Sequence, residues 1–246
     1  MPMPATLERA LQERRALKVI SGLMNFDAEK VAKVVRAAEL GGATFVDIAC
    51  DPALVRMAKN LVDLPVCVSA VEPEAFVDAV AAGADMVEIG NYDAFYAEGR
   101  IFSAEEVLEL TRTTRALLPD VTLSVTVPHT LSLDAQAELA EALEAAGADL
   151  IQTEGGTSSS PEHAGVLGLI EKAAPTLAAA ATIAKVVNIP VLCASGLSDV
   201  TAPMAIATGA QGVGVGSAVN RLNDDLAMVA AVKRLSESLE RSAARV

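Results

Sequence analysis

The sequence predicts a closed barrel of eight parallel strands with helices between them: a single (β/α)8, or TIM, barrel over residues 1–246. Three observations point there. The chain has 246 residues, the usual size of such a barrel. A two-strand unit recurs four times along it. Short apolar runs alternate with helical connectors throughout, which implies a parallel sheet with right-handed crossovers.

The repeat is visible in GGATFVDIA from Gly41, AGADMVEIG from Ala82, AGADLIQTE from Ala146 and TGAQGVGVG from Thr208. Each reads as a helix end, a Gly-Ala turn and an apolar strand. Gly42, Gly83, Gly147 and Gly209 stand where a left-handed residue closes a helix. Four other strands alternate with these: LKVISG from Leu17, LPVCVSA from Leu64, VTLSVTV from Val121 and IPVLCASG from Ile189.

The connectors carry helix starts. Residues 1–15 form an extra N-terminal helix, expected to cap the N-terminal end of the barrel. Asp51-Pro52 is an N-cap with Pro at the first helical position. Glu72-Pro73 opens another helix, Ser103–Glu106 is a capping box, and Ser132 starts the next. Two connections are long: residues 90–102 after strand four, with both tyrosines of the chain, and residues 154–165 after strand six, leading to a helix interrupted at Pro175. Both leave the C-terminal ends of strands, where barrel active sites are built.

Composition narrows the function. Lys and Arg number 19 against 32 Asp and Glu, a formal charge of −13, which argues against nucleic acid or an anionic membrane surface. Any anionic ligand must be held by local dipoles. Three cysteines, an odd and sparse set, suit a reducing compartment. There is no metal-binding motif, so no metal is expected. The N-terminus lacks the apolar stretch of a signal peptide, and no apolar run is long and charge-free enough for a membrane span, so a soluble, cytoplasmic protein is expected. A homo-oligomer is compatible with all of this.

The strongest candidate site lies at CASGLSD (193–199) and GVGVGSAVN (212–220). Loops after the last two barrel strands, with a helix N-terminus, commonly grip phosphate through backbone N–H groups. Ser217 reads as the N-cap of the last helix. Gly196, Gly216 and Ser217 are the main candidates, with Ser195 and Gly214 in support. Gly156, Asn91 and Tyr92 on the two long loops join them as ligand contacts.

Aligning the repeat puts Asp47, Glu88, Gln152 and Gly214 at one equivalent position, facing the interior in one layer. Two carboxylates there form either an acid/base set or a structural polar network. Glu154 shares that facing nearer the mouth and is the best-placed acid or base. Lys18 is the one Lys or Arg in any strand. Facing inward it could pair with Asp47 or Glu88, or act as an amine nucleophile; aligning Ser21 with Ser69, Thr126 and Ser195 would instead turn it outward. His129, at a strand end, is a candidate proton shuttle, ranked above His163. Cys67 and Cys193 read as equivalent inward-facing fillers.

The segments ALKVISGL (16–23), NFDAEKV (25–31), VDIACDP (46–52), EIGNYDAFYAEG (88–99), QTEGG (152–156) and ASGLSDVTAPMA (194–205) together resemble the hypothetical chloroplast reading-frame family of cyanobacteria and algal plastids. The resemblance covers nearly the whole chain. It implies a photosynthetic-lineage origin and a cytoplasmic or plastid-stroma location, and brings no assigned reaction. More loosely, the ends of strands seven and eight are similar to those of phosphate-binding barrels such as thiazole synthase, pyridoxal-phosphate synthase and flavin-linked barrels. DMVEIG on strand four lacks the lysine that a thiazole-synthase-like Schiff base would need.

The combined reading is an enzyme of lyase, isomerase or synthase type acting on a small phosphorylated or otherwise anionic metabolite. The alternatives are an FMN-binding oxidoreductase-like barrel using the same grip, or a non-catalytic barrel that binds or senses a metabolite.

Overall fold

The computed structural model describes residues 2–96, 98–156, 159–222 and 224–243. Its strands are Ala16–Ile20 (β1), Phe45–Ala49 (β2), Val66–Ala70 (β3), Met86–Ile89 (β4), Thr122–Thr126 (β5), Leu150–Gln152 (β6), Val191–Ala194 (β7) and Gly212–Val215 (β8). They pair in parallel in chain order, and β8 returns to β1, closing a (β/α)8 barrel.

Helix Ala5–Gln12 (α1) precedes the barrel. Between the strands lie Ala28–Gly41 (α2), Pro52–Leu61 (α3), Ala75–Ala81 (α4), a single turn Asp93–Tyr96 (α5), Ala104–Leu117 (α6), Leu133–Ala145 (α7), Gly165–Ile183 (α8) and Ala202–Ala207 (α9). The short Ser217–Asn220 (α10) and the long Asp225–Ala243 (α11) follow β8.

Local signals explain most boundaries. Asp27, Asp51, Ser103 and Ser132 each accept hydrogen bonds from backbone N–H groups one turn into α2, α3, α6 and α7. The four repeat glycines all have positive φ: 83° at Gly42, 111° at Gly83, 96° at Gly147 and 114° at Gly209. That left-handed turn ends the helix and aims the chain into the next even strand.

The outward faces of the strands, such as Val46 and Ile48 or Val87 and Ile89, pack beneath the helices in one continuous core. A second apolar cluster plugs the barrel from below. There Ala16, Phe45, Cys67, Met86, Leu150 and Leu192 point inward and meet Leu7, Ala10 and Leu11 of α1. The N-terminal helix therefore seals the end opposite the loops that follow the strands.

Four expectations need correction. Glu72-Pro73 lies in a turn; α4 proper begins at Ala75 with no side-chain cap. Pro175 does not interrupt α8, which runs unbroken through it. The helix is fastened to the sheet at the next residue, where the Thr176 hydroxyl donates to Ala194 O at 2.5 Å. Cys193 faces α8, with Sγ 3.6 Å from Thr176 O, because its neighbours Leu192 and Ala194 take the inward positions. Finally, α8 is long and apolar enough to cross a membrane by length and composition, with 19 residues and a mean hydropathy of 1.4. Here it joins β6 to β7, adjacent strands of the barrel, and packs on them.

Candidate functional site

The inward side chains form a polar layer above the apolar plug. Lys18 Nζ lies 2.6 Å from Glu88 Oε2, 3.1 Å from Asp47 Oδ2 and 2.9 Å from Gln152 Oε1. All four side chains are buried, Lys18 and Glu88 completely. Glu88 also accepts from Ser124 Oγ at 2.7 Å, Gln152 Nε2 at 2.8 Å and Asn91 Nδ2 at 3.1 Å. Asp47 accepts from Ser69 Oγ at 2.6 Å and from Asn91 Nδ2 at 3.1 Å. A charge in such a place is tolerable only when paired and fully hydrogen-bonded, as these are.

The Lys18 side chain therefore points inward, and Ser21, three residues on, lies past the end of β1. Burial works against the ammonium, but the carboxylates of Asp47 and Glu88 more than offset it and hold the Lys18 pKa above its ordinary value. That keeps the amine protonated and unfit as a nucleophile at neutral pH. Burial, reinforced by Asp47, raises the Glu88 carboxyl against the pull of Lys18.

A second cluster sits above this layer, at the mouth. Glu154 follows β6 and is 4% exposed. Its Oε1 accepts from the Tyr96 hydroxyl and from the His129 backbone N–H, the latter at 3.1 Å, and lies 3.0 Å from His129 Nδ1. The Tyr96 ring meets the His129 ring edge-on at 4.9 Å. Burial, aided by the charge of Asp93, keeps the Glu154 carboxyl above the usual carboxylate range against these hydrogen bonds. The hydrogen bond to Glu154 raises the His129 imidazole, opposed by its partial burial. A buried carboxyl whose pKa is raised can act as a proton donor or acceptor toward a ligand, with the imidazole as its partner behind.

Glu154 and Asp93 line a cavity of about 470 Å³ at the C-terminal mouth. Its floor includes Gln152 and Asn91, and its far wall is the Ser195–Gly196 turn and the Gly216–Ser217 turn. Among the described residues, no Lys or Arg lines it. Ser195 and Asn91 hold positive φ, 75° and 64°, as the chain leaves β7 and β4. Asn220 closes the rim by donating through Nδ2 to Ile20 O at 2.7 Å and Ser21 O at 3.1 Å.

The structure places the sequence candidates unequally. Ser195, Gly196, Gly216, Ser217, Gln152, Asn91 and Glu154 line the cavity. Lys18, Asp47 and Glu88 lie beneath it in the polar layer, and His129 backs Glu154. Gly214 points into the barrel below the rim, where a Cβ would stand 2.8 Å from Ala194 Cβ. Gly156 sits behind the wall; a Cβ there would come within 2.3 Å of Ser195 O and 2.5 Å of Gly196 Cα. Tyr92 is fully buried, stacked on Phe102 at 4.3 Å, and does not reach the cavity. Ser217 begins the four-residue α10 with Gly216 as its cap, while the last helix starts at Asp225. Of the loop 154–165, Thr157 and Ser158 lie outside the described residues. His163 is exposed and pairs with Glu171, away from the mouth.

The model of the family described as "Protein of unknown function (DUF561)" matches residues 3–245. The chain belongs to this family. The "Uncharacterized protein ycf23" of Cyanophora paradoxa is 44% identical over 224 residues, covering 91% of this chain and 92% of that protein. Among solved structures, thiamine phosphate pyrophosphorylase from Pyrococcus furiosus aligns with a TM-score of 0.63 at 21% identity over 94% of this chain and 98% of the other. The (S)-3-O-geranylgeranylglyceryl phosphate synthase from Thermoplasma acidophilum, solved with sn-glycerol-1-phosphate, aligns at 0.61 and 16% identity over 97% and 100%. At these identities the likeness shows the fold. It places this DUF561 member among barrels that share its architecture.

Two neighbours of Glu154 escape a reading of the sequence. Tyr96 and Asp93 stand three apart on the one-turn helix α5, and that i, i+3 spacing puts them on one side of the turn. The signal is visible only once the segment is known to be helical. All three thiols are ruled out as activated nucleophiles: burial, with Asp51, pushes Cys50 up to about 12, burial pushes Cys193 up to about 11, and Cys67 is driven well above its ordinary value.

Proposed function

We propose that this protein is an enzyme of lyase, isomerase or synthase type acting on a small phosphorylated metabolite at the mouth of the barrel. One observation carries the reading. The buried Glu154 carboxyl, held between His129 and Tyr96, faces across one cavity toward the Gly196 and Gly216–Ser217 turns. The turns offer backbone N–H groups where barrels of this fold commonly hold phosphate. The opposite wall offers an acid or base at the distance of a small molecule. The polar layer below fixes Gln152 and Asn91 as a rigid floor that can receive hydroxyl or carbonyl groups. Structural neighbours that handle glycerol phosphate and thiamine phosphate support the ligand class.

Gly216→Asp tests the reading. A Cβ at Gly216 meets nothing closer than 3.5 Å, so the first side-chain atom is accommodated, and the variant places a carboxylate at the anion grip. In calorimetric titrations with small sugar phosphates and the matching unphosphorylated sugars, the wild type should prefer the phosphorylated forms and the variant should lose them. Undiminished binding in the variant, or no gain from the phosphate in the wild type, overturns the assignment.

A further inference from the structure

The Glu154 cluster contains more acceptors than its hydrogen bonds explain. Asp93, His129 and Glu154 come from the segments after β4, β5 and β6, three successive strands. Each offers a ligand atom, and these atoms all lie within 4.8 Å of one another. Glu154 Oε1 is saturated by Tyr96 and His129. Glu154 Oε2 and Asp93 Oδ1 are buried and have no hydrogen-bond partner among the described residues. Leaving one charged oxygen unsatisfied out of water is costly, and leaving two in one place compounds the cost.

We propose that Asp93, His129 and Glu154 form a binding site for one divalent first-row metal ion at the cavity wall. Two carboxylate oxygens and one imidazole nitrogen suit Mn²⁺, Fe²⁺ or Zn²⁺ better than a soft or alkaline-earth ion. Three protein ligands leave positions open toward the cavity, as a catalytic rather than a structural site does. Tyr96, bonded to the Glu154 ligand, orients it from behind. The site also settles a charge conflict. The cavity is lined by Asp93 and Glu154 and, among the described residues, by no basic side chain, and it belongs to a protein of charge −13. A bound dication turns that wall from repelling an anionic ligand to attracting it. This inference deepens the reading of the cavity as an anion site.

The test uses the full chain stripped with a chelator and titrated with Mn²⁺ alone, followed by paramagnetic resonance and by competition with Zn²⁺. One saturable ion per chain is expected. Asp93→Asn, a near-isosteric change at a partly buried position, should weaken it by more than about tenfold, since even outer-shell partners are worth about 10–100-fold. Glu154→Gln and His129→Ala, checked for folding by circular dichroism, should do the same. Absence of a saturable site, or affinities in folded variants equal to that of the wild type, overturns the proposal and assigns any bound ion to surface carboxylates. Gly216→Asp should keep its Mn²⁺. If phosphorylated ligands bind in a Gly216-dependent way while Mn²⁺ does not bind, the metal site falls and the anion reading stands.

Discussion

Lys18 on β1 and Glu88 on β4 meet at 2.6 Å across the interior of the barrel, both wholly shielded from solvent. Asp47 on the adjacent β2 joins the pair, and with Gln152 the cluster braces β1, β4 and β6, strands that are not neighbours in the sheet. The brace supports the cavity floor directly, because Gln152 belongs to both.

Lys18→Met should destabilise the protein by about 3–5 kcal/mol, the cost of stranding buried charges without their counter-ion. Glu88→Gln should cost less, since Asp47 remains at 3.1 Å to pair with the ammonium. Urea unfolding of the three proteins ranks them; equal stability of the Met variant and the wild type would refute the brace.

Gly156→Ala should both destabilise the chain and weaken ligand binding. Its methyl would lie 2.3 Å from Ser195 O, so the Ser195–Gly196 wall must shift. Overpacking of this kind costs about 1–3 kcal/mol. Thermal unfolding and calorimetry should therefore move together, whereas Gly216→Asp should change binding alone.

Removing the Thr176 hydroxyl tests how α8 is tied to the barrel. Thr176→Val leaves Ala194 O without its donor and Thr153 Oγ1 without its 2.5 Å partner. Buried groups stranded this way cost about 1–3 kcal/mol. Hydrogen exchange should show α8 opening more readily in the variant, and unchanged protection would count against the anchor.

The His129–Glu154 contact sets a pH dependence. The folded-state pKa of His129 is raised, with Glu154 and Asp93 as the facing charges, so its contribution to stability is present in full below the unfolded value and is lost as pH rises through the folded one. The stability gap between wild type and His129→Gln should thus be widest in mild acid and narrow as pH rises from about 6.5, the ordinary imidazole value, into the alkaline range. Paired denaturation curves across that range check the sign, and a widening gap would contradict it.

The barrel and its polar layer were legible in the sequence because both obey a period. The Gly-Ala repeat marks the even strands, and alternation along each strand then assigns Asp47, Glu88 and Gln152 to the inside. What lies beyond the strand ends has no period. Tyr92 and Tyr96 share one loop, yet the first is packed on Phe102 and the second holds Glu154. Local composition cannot separate them, because the choice is made by the turn of α5. Gly196 and Gly156 are readable as glycines near a mouth. That each excludes a Cβ because of the other's backbone is a three-dimensional fact. Cys193 is misplaced when it is matched to Cys67 by residue type: the Pro65-Val66 and Pro190-Val191 starts of the two strands instead match Cys67 with Leu192, both in the apolar plug, and leave Cys193 on the face toward α8.

The brace has a consequence for assembly of the chain. Lys18 lies on the first strand, 70 residues ahead of Glu88 and 134 ahead of Gln152. During synthesis its ammonium emerges long before either acceptor and must stay hydrated until they arrive. Asp47 on β2 can pair with it first, but only Glu88 and Gln152 complete its hydrogen bonds, so full dehydration of the ammonium is favourable once β4 and β6 exist. Contacts of such long sequence separation form slowly. The residue that stabilises the finished barrel thus acts, in the growing chain, as a hold on premature closure.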